Sequence, residues 1–174
     1  IKLKLISVFN RGETLEFNWR SLESQTQDLR LNVGLPYLFS TPFGVDYTFK
    51  LLKQDTSYIT LNNNIGIQYY FASDNYLKVY LEATNSSLLS TEQYEDMNTL
   101  PPFADVNTSN YGLEYYRSKL DYRYNPTKGF YLNPSASFGV KNIRENSALN
   151  PEIYDSLELR SNIYKGALEA GVFI

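Results

Sequence analysis

The sequence predicts an all-β protein, and three observations lead to that prediction. Apolar and polar residues alternate over most of the chain, which is the period of a strand rather than of a helix. Aromatic residues, which favour strands, are abundant, with 16 Tyr and 10 Phe among 174 residues. No apolar run approaches the roughly 18 residues of a membrane helix.

The first half of the chain contains five segments that we expect to be strands: 1–9, 13–20, 28–35, 45–52 and 58–71. From the second segment on, each has an apolar face of alternate residues. In chain order these faces are Leu15, Phe17 and Trp19; Leu29, Leu31, Val33 and Leu35; Val45, Tyr47, Phe49 and Leu51; Ile59, Leu61, Ile65, Ile67, Tyr69 and Phe71. Asn63 is the one polar residue in the apolar phase of the fifth segment.

The second half contains five more: 77–84, 116–124, 130–141, 155–164 and 167–174. The clearest apolar sets are Leu77, Val79, Leu81 and Ala83; Tyr116, Leu120, Tyr122 and Tyr124; Phe130, Leu132, Ala136, Phe138 and Val140. The last two segments alternate less cleanly. Pro134 also lies in an apolar phase, and because proline cannot donate to a strand ladder we expect a bulge there.

The connections between these segments are of two alternating kinds. Short ones with turn residues are expected at 10–12, 73–75, 125–129 and 165–166, together with the longer, aromatic 36–43. Polar and on average longer ones are expected at 21–27, 53–57, 86–109 and 142–154. Ten aromatic residues gather at the short-turn end: Tyr37, Phe39, Phe43, Tyr69, Phe71, Tyr76, Tyr122, Tyr124, Phe130 and Tyr131.

These patterns predict a transmembrane antiparallel up-and-down β-barrel. Several segments run from about 9 to 14 residues, the length of a tilted strand that crosses a bilayer. Short turns at one end, longer polar loops at the other and aromatic residues at one level are typical of outer-membrane barrels. A soluble barrel or sandwich with its apolar face inward is the alternative.

Composition excludes several kinds of chemistry. The chain has no Cys and no His, which removes disulfides, thiol nucleophiles, Cys/His zinc sites and histidine acid–base catalysis. A net charge of −3 gives no basic footprint for nucleic acid. We therefore expect no enzyme activity, no catalytic residue, no cofactor, no metal site and no nucleic-acid partner.

Residues 117–132, RSKLDYRYNPTKGFYL, resemble the signature hairpin of the bacterial surface-antigen family of outer-membrane barrels. The segment 14–49, with Leu-Pro-Tyr-Leu before its last strand, is also similar to that family. The signature residues match in order: Asp121, Arg123, Asn125, Pro126, Thr127, Lys128 and Gly129. The family includes the BamA-like and TamA-like assembly factors and the transporters of two-partner secretion.

The resemblance implies that 1–174 is part of a single C-terminal outer-membrane barrel domain of sixteen strands. The chain would hold about the second to the eleventh strands, with the signature turn in the periplasm. The POTRA domains and the closing strands would lie outside it.

The function implied is insertion of β-barrel clients into the bacterial outer membrane through a lateral seam, without ATP. Partners would be membrane lipids and lipopolysaccharide, unfolded barrel clients and accessory lipoproteins. A two-partner secretion pore, or a barrel that anchors or exports a fused patatin-like hydrolase, remains open.

Five charged residues are expected to face the barrel lumen, because a basic residue at the lipid midplane costs about 2–4 kcal/mol. These residues are Arg30, Lys50, Lys119, Asp121 and Arg123. They would order the barrel or line a pathway; the alternative is a set of solvated ion pairs, each worth about 0–1 kcal/mol.

Overall fold

The structure is a computed structural model that describes residues 1–22, 25–72, 75–90, 101, 104–122, 125–147, 149–155 and 157–174. These residues contain nine β-strands, one 3₁₀ turn and one short helix. The strands are β1 (Lys2–Ile6), β2 (Thr14–Ser21), β3 (Gln27–Leu35), β4 (Phe43–Gln54), β5 (Tyr58–Ala72), β6 (Asn75–Leu88), β7 (Val106–Leu120), β8 (Gly129–Ile143) and β9 (Arg160–Phe173). The 3₁₀ turn is Leu38–Ser40, and the helix α1 is Glu152–Asp155. Among the described residues, neither α1 nor the 3₁₀ turn could serve as a transmembrane helix.

The nine described strands form one antiparallel sheet, and their order in the sheet is their order in the chain. Each strand therefore pairs with its neighbours in sequence, which is up-and-down topology. β1 and β9 lie at opposite edges, so the sheet is open. The predicted all-β class and up-and-down arrangement are confirmed, with nine strands in the described residues rather than the expected ten.

Successive connections lie at opposite ends of the sheet. We call one end the turn end; its connections are 7–13, 36–42, 73–74 and 121–128. We call the other the loop end; its connections are 22–26, 55–57, 89–105 and 144–159.

The expected turn at 165–166 is wrong, because one strand, β9, runs through both positions. Gly166 pairs with Ala136 in an unshifted ladder, and its φ angle is not in the positive range that a tight hairpin turn requires. A single Lys-Gly pair thus lacks the geometry of a turn, and the segments 155–164 and 167–174 do not form two strands.

β6 and β7 extend further toward the loop end than the alternation predicts. Most of the residues added at the loop ends of the two strands are polar, with Asn85 opposite Asn107 on one face and Ser86 and Thr108 on the other. Hydrophobic alternation does not detect such a segment, although the ladder continues through it. The expected loop 86–109 shrinks accordingly, and β7 ends at Leu120 rather than at 124.

Pro134 interrupts a ladder without producing the expected bulge. The β7–β8 pairing has a gap between Glu114–Ser135 and Arg117–Leu132, and the register is the same on both sides of it. Proline has no backbone N–H to donate, which accounts for the gap. The only register shift among the described pairs lies elsewhere, between Tyr70 and Ala72 in β5.

The ladder gives the sheet two chemically different faces. Residues directly opposite one another in an antiparallel pair share a face. One such row carries polar residues across the sheet: Asn18, Arg30, Lys50, Asn62, Thr84, Thr108, Lys141 and Ser161. A neighbouring row on the other side is apolar and aromatic: Leu15, Val33, Tyr47, Ile65, Leu81, Tyr111, Phe138 and Tyr164. We call the two sides the polar face and the apolar face.

Burial is inverted relative to a water-soluble sheet. On the apolar face, Ile67 is 58% exposed and Phe138 is 59% exposed. On the polar face, Asn110 is 1% exposed and Ser86 is also buried. The described residues therefore place no dry core against the apolar face, while several polar groups are sheltered.

The buried apolar side chains in the described residues lie at the loop end. They are Ala104, Val106, Leu149, Ile153 and Tyr154. Hydrogen bonds hold the connection 144–159 against the start of β7: Arg144 N donates to Asp105 O at 2.9 Å, and Asn146 Nδ2 donates to Asp105 Oδ2 at 2.8 Å. This small cluster closes over one end of the sheet and does not underlie it.

Two glycines on neighbouring strands make a matched test of packing on the two faces. A methyl group at Gly139 would collide with the backbone oxygen of Ser109, whereas one at Gly166 would meet nothing within 4 Å. We expect Gly139→Ala to destabilise the fold by about 1–3 kcal/mol, the usual cost of overpacking. Gly166→Ala should be neutral or stabilise by about 0.5–1 kcal/mol. Urea unfolding followed by circular dichroism measures both, and equal effects would contradict the described packing.

Candidate functional site

The polar face is the first candidate site, and the Glu82 carboxylate connects four of its strands. Its Oε1 accepts from Asn62 Nδ2 at 3.0 Å. Its Oε2 accepts from Asn110 Nδ2 at 3.1 Å and from Lys165 Nζ at 3.4 Å. One side chain on β6 therefore joins β5, β7 and β9, which is three strands away, and the polar face forms a connected network.

The second charged group on the polar face is an ion pair toward the turn end, and its lysine passes over a glycine of the neighbouring strand. Lys78 Nζ bonds Asp46 Oδ2 at 2.8 Å, and the two side chains are only 14% and 21% exposed. Lys78 crosses β5 at Gly66, where any side chain would collide with it. Tyr80 lies over Gly112 in the same way. Large side chains thus lie flat on the polar face because neighbouring strands present glycine.

Four tyrosines form a row of contacting rings on the polar face near the turn end. The ring centroids of Tyr37 and Tyr70 are 4.9 Å apart, those of Tyr70 and Tyr76 5.9 Å, and those of Tyr76 and Tyr116 5.4 Å. Tyr76 Oη donates to Glu114 Oε1 at 2.8 Å. The aromatic residues expected to gather at this end are therefore divided, because Phe43, Tyr69 and Phe71 lie on the opposite face.

Two of the five charges expected to face a lumen, Arg30 and Lys50, lie on the polar face. They are directly opposite one another on β3 and β4. Asp28 lies beside them and bonds Arg20 NH2 at 2.6 Å and Arg30 Nε at 3.4 Å. We call Arg20, Arg30 and Lys50 the basic strip. Whether a lumen surrounds it stays a prediction.

Lys119 does not share the face of Arg30 and Lys50. Tyr116 stacks on Tyr76 on the polar face, so the alternation of β7 puts Arg117 and Lys119 on the apolar face. Because tyrosines occupy both faces here, the alternation of apolar and polar residues in 116–124 predicts the wrong face for these charged residues. Asp121 lies beyond the strand, and Arg123 lies outside the described residues.

The apolar face carries paired aromatic rings and one satisfied polar group. Phe71 stacks on Tyr115 at 5.8 Å, and Tyr111 on Phe138 at 5.7 Å. Asn63, which breaks the alternation of β5, accepts a hydrogen bond from Tyr47 Oη at 2.8 Å. The amide oxygen at this otherwise apolar position thus has its partner on the adjacent strand.

The signature turn is organised by the carboxylate of Asp121. Its Oδ1 accepts from Tyr122 N at 3.0 Å and from Thr127 N and Lys128 N, both at 2.9 Å, and its Oδ2 accepts from the Thr127 hydroxyl. The Thr127 hydroxyl, the Lys128 amide and further backbone donors hold the pKa of Asp121 down at about 2. The carboxylate is therefore a turn-forming group, and nothing in its contacts suggests catalysis.

The rest of the signature serves the same geometry. Gly129 has a φ of 122°, and a side chain there would collide with the backbone oxygen of Lys119. Only glycine fits this close return to β7. Asn125 and Pro126 lie between Asp121 and Thr127 in the turn.

Comparisons with protein-family models, with curated proteins and with solved structures found no match. The described residues also contain no group of three or more acidic side chains placed to hold a metal ion. What the arrangement offers is a charged, hydrogen-bonded polar face, an exposed apolar face and a tightly built turn.

The pH dependence of folding tests the role of Asp121. Its pKa is about 2 in the fold, against an ordinary value near 4. Its ionised form therefore stabilises the fold fully above about pH 4, and that contribution disappears as the pH falls to about 2. We expect Asp121→Asn to lower the urea midpoint at pH 6 and to flatten its pH dependence between 4 and 2.

Thr127→Val is the matched control for the pH experiment. It removes one donor and leaves the carboxylate with its backbone donors, so a smaller loss and a retained pH dependence are expected. Identical pH profiles for the wild type and Asp121→Asn would show that the carboxylate does not organise the turn.

Proposed function

We propose that this chain forms part of the wall of a membrane-spanning β-barrel, with the apolar face toward lipid and the polar face toward the interior. The observation that carries the proposal is the position of the apolar band on successive strands. The band does not follow the ladder rows; it moves steadily toward the turn end from β2 to β9.

The displacement of the band can be measured along the ladder. On β2 the band is centred on Phe17, whose row leads through successive partners to Asn162 on β9. On β9 it is centred near Leu168, six residues closer to the turn end. That is about 20 Å along the strand over about 34 Å across seven strand steps, a slope of roughly 30°.

A slanted band is what a tilted barrel requires. Strands in membrane barrels tilt by about 35–45°, so a level apolar belt must cross the ladder rows obliquely. On β4 the belt runs from Phe43 to Leu51, about 26 Å along the strand and about 23 Å after tilt, close to the usual 25 Å. A soluble barrel would slant its apolar residues too, so the exposure of Ile67 and Phe138 is what favours lipid rather than a dry interior at this band.

Polar residues flank the band at both ends of the last strands. Toward the loop end, the apolar face carries the row Asn85, Asn107, Asn142 and Arg160. Toward the turn end it carries Arg117 and Lys119, beside Phe130 and Leu132. Long basic side chains at such a boundary place their charge in the headgroup zone.

Within the membrane proposal, we infer outer-membrane protein assembly as the activity. The support is the likeness of 117–132 to the surface-antigen signature, in which Asp121, Thr127 and Gly129 all have a turn-forming role here. Lipids and lipopolysaccharide, unfolded barrel clients and accessory lipoproteins would be the partners, in the bacterial outer membrane. The insertion seam would lie in strands beyond this chain.

A translocation pore is the second candidate, and the polar face is the observation that favours it. Charged groups such as Lys50 and Lys165 are exposed on that face, as expected of a water-filled passage. A pore would pass a secreted chain through the lumen, whereas an assembly factor would work at its seam.

Two adjacent residues on opposite faces of β5 test the membrane proposal. Ile65 lies in the apolar band, and Asn64 lies on the polar face opposite Glu82. We expect Ile65→Lys to destabilise the membrane-inserted protein by about 2–4 kcal/mol, and Asn64→Lys by less than about 1 kcal/mol. Urea unfolding in lipid vesicles, read from tryptophan fluorescence, measures both.

The two variants also separate the membrane proposal from its alternative. If the apolar face met water, lysine at the already exposed Ile65 would have little effect. Equal stabilities of the two variants, or a full-length protein that remains monodisperse in buffer without detergent, would rule out the membrane proposal.

Client folding tests the assembly activity. Full-length protein in liposomes should speed the folding of a urea-denatured outer-membrane barrel, read from its heat-dependent gel mobility. Liposomes with an equal mass of a porin control for general disturbance of the bilayer. Acceleration no greater than that with the porin would reject assembly and favour the pore.

A further inference from the structure

The polar face has an uneven distribution of charge. The row that runs through Arg30 contains four cations, Lys2, Arg30, Lys50 and Lys141, and no carboxylate in the nine strands that it crosses. The chain as a whole is acidic, with a net charge of −3. A cationic row in an acidic chain calls for a specific explanation.

Arg30 and Lys50 are placed against each other. They are directly opposite partners on adjacent strands, and like charges in that position destabilise a sheet. Of the two nearest described carboxylates, Asp28 is bonded to Arg20 and Arg30, and Glu16 on β2 is paired with Lys4. Lys50 has no ion pair with any described residue, so the basic strip and Asp28 together carry a net charge of about +2.

Other lysines of the polar face are paired with carboxylates by contrast. Lys78 pairs with Asp46, and Lys165 bonds Glu82. Apart from the single lysines Lys2 on β1 and Lys141 on β8, the excess of positive charge on the described polar face therefore lies on β2, β3 and β4.

We propose that the basic strip binds an anion that carries carboxylate or phosphate groups. The guanidinium of Arg30 offers paired donors in a plane, which suit either group, and Lys50 adds a point charge opposite it. Asn18, directly across from Arg30, makes no side-chain hydrogen bond to a described residue and supplies a neutral donor. A bound anion would relieve the repulsion between Arg30 and Lys50.

The proposal goes beyond the proposed function and requires only that water reach the polar face. It would hold for an assembly factor, for a pore and for a barrel that does not enter a membrane. Its failure is therefore distinguishable from failure of the membrane proposal, which Ile65→Lys and Asn64→Lys test separately.

Thiol labelling of the full-length protein tests the strip, because this chain has no cysteine of its own. Thr48→Cys places a reporter on the same face two residues from Lys50, about 7 Å away. Ser135→Cys is the matched control, on the same face directly opposite Glu114. Each reporter is reacted with an anionic sulfonate and with a cationic trimethylammonium methanethiosulfonate, and the ratio of the two rates is measured.

The anionic reagent should be favoured at Thr48→Cys and not at Ser135→Cys. Adding Arg30→Gln and Lys50→Gln should lower the ratio at Thr48→Cys about fivefold at 0.15 M salt and more than tenfold at 0.01 M, from Coulomb's law with screening. The control ratio should not change. A ratio at Thr48→Cys that is unaffected by the two substitutions would overturn the proposal.

Competition then identifies the anion. Pyrophosphate and a triglutamate peptide are added at equal ionic strength while Thr48→Cys reacts with a neutral reagent. Protection by pyrophosphate alone assigns phosphate, and protection by the peptide assigns carboxylate. If neither anion protects the thiol, the proposal is overturned, because the positive charge then attracts anions without binding them.

Discussion

The structure depends on the register of one antiparallel ladder. A two-residue side-chain period means that a slip of one position would exchange every residue between the faces. From β1 to β9 the described pairs keep a register that gathers polar groups on one side and apolar groups on the other, with a single shift near Tyr70. Because the described residues place no second layer on either side, the composition of each face suits its own surroundings.

The contacts between long side chains and glycines on the polar face depend on that register. Lys78 reaches Asp46 only because Gly66 leaves β5 bare between them, and Tyr80 lies over Gly112 for the same reason. Glu82 then collects donors from strands on both sides. The long side chains of the polar face thus pack against neighbouring strands of the same sheet rather than against a second layer.

Much of the fold is predictable from the sequence because one-sided alternation specifies a strand and its phase. β2 to β5 and β8 alternate clearly, and their faces follow from Leu31, Phe49 or Phe138 alone. The loop-end parts of β6 and β7 are polar on both faces, so Asn85 and Asn107 look like loop residues. Near Tyr116 the tyrosines occupy both faces, so the alternation does not indicate which face each residue lies on. Lys119 was therefore assigned to the wrong face.

The site was less predictable than the fold, since its contacts join distant residues. Arg30 and Lys50 could be identified as charges on a polar face, but their direct opposition depends on the register of β3 against β4. The bond between Glu82 and Lys165 joins residues 83 positions apart, and no local pattern indicates it. The turn was recognisable from Pro126 and Gly129, but the role of Asp121 in it was not, since Asp121 was expected to face a lumen.

The interruption at Pro134 affects how the sheet comes apart. A strand pair with missing bonds opens at a lower free energy than its neighbours, so the β7–β8 hairpin is divided into two cooperative units. The inner unit lies toward the loop end and is held by the long ladder from Val106 to Glu114. The outer unit ends in the Asp121 turn and can separate while the other strands of the sheet stay paired.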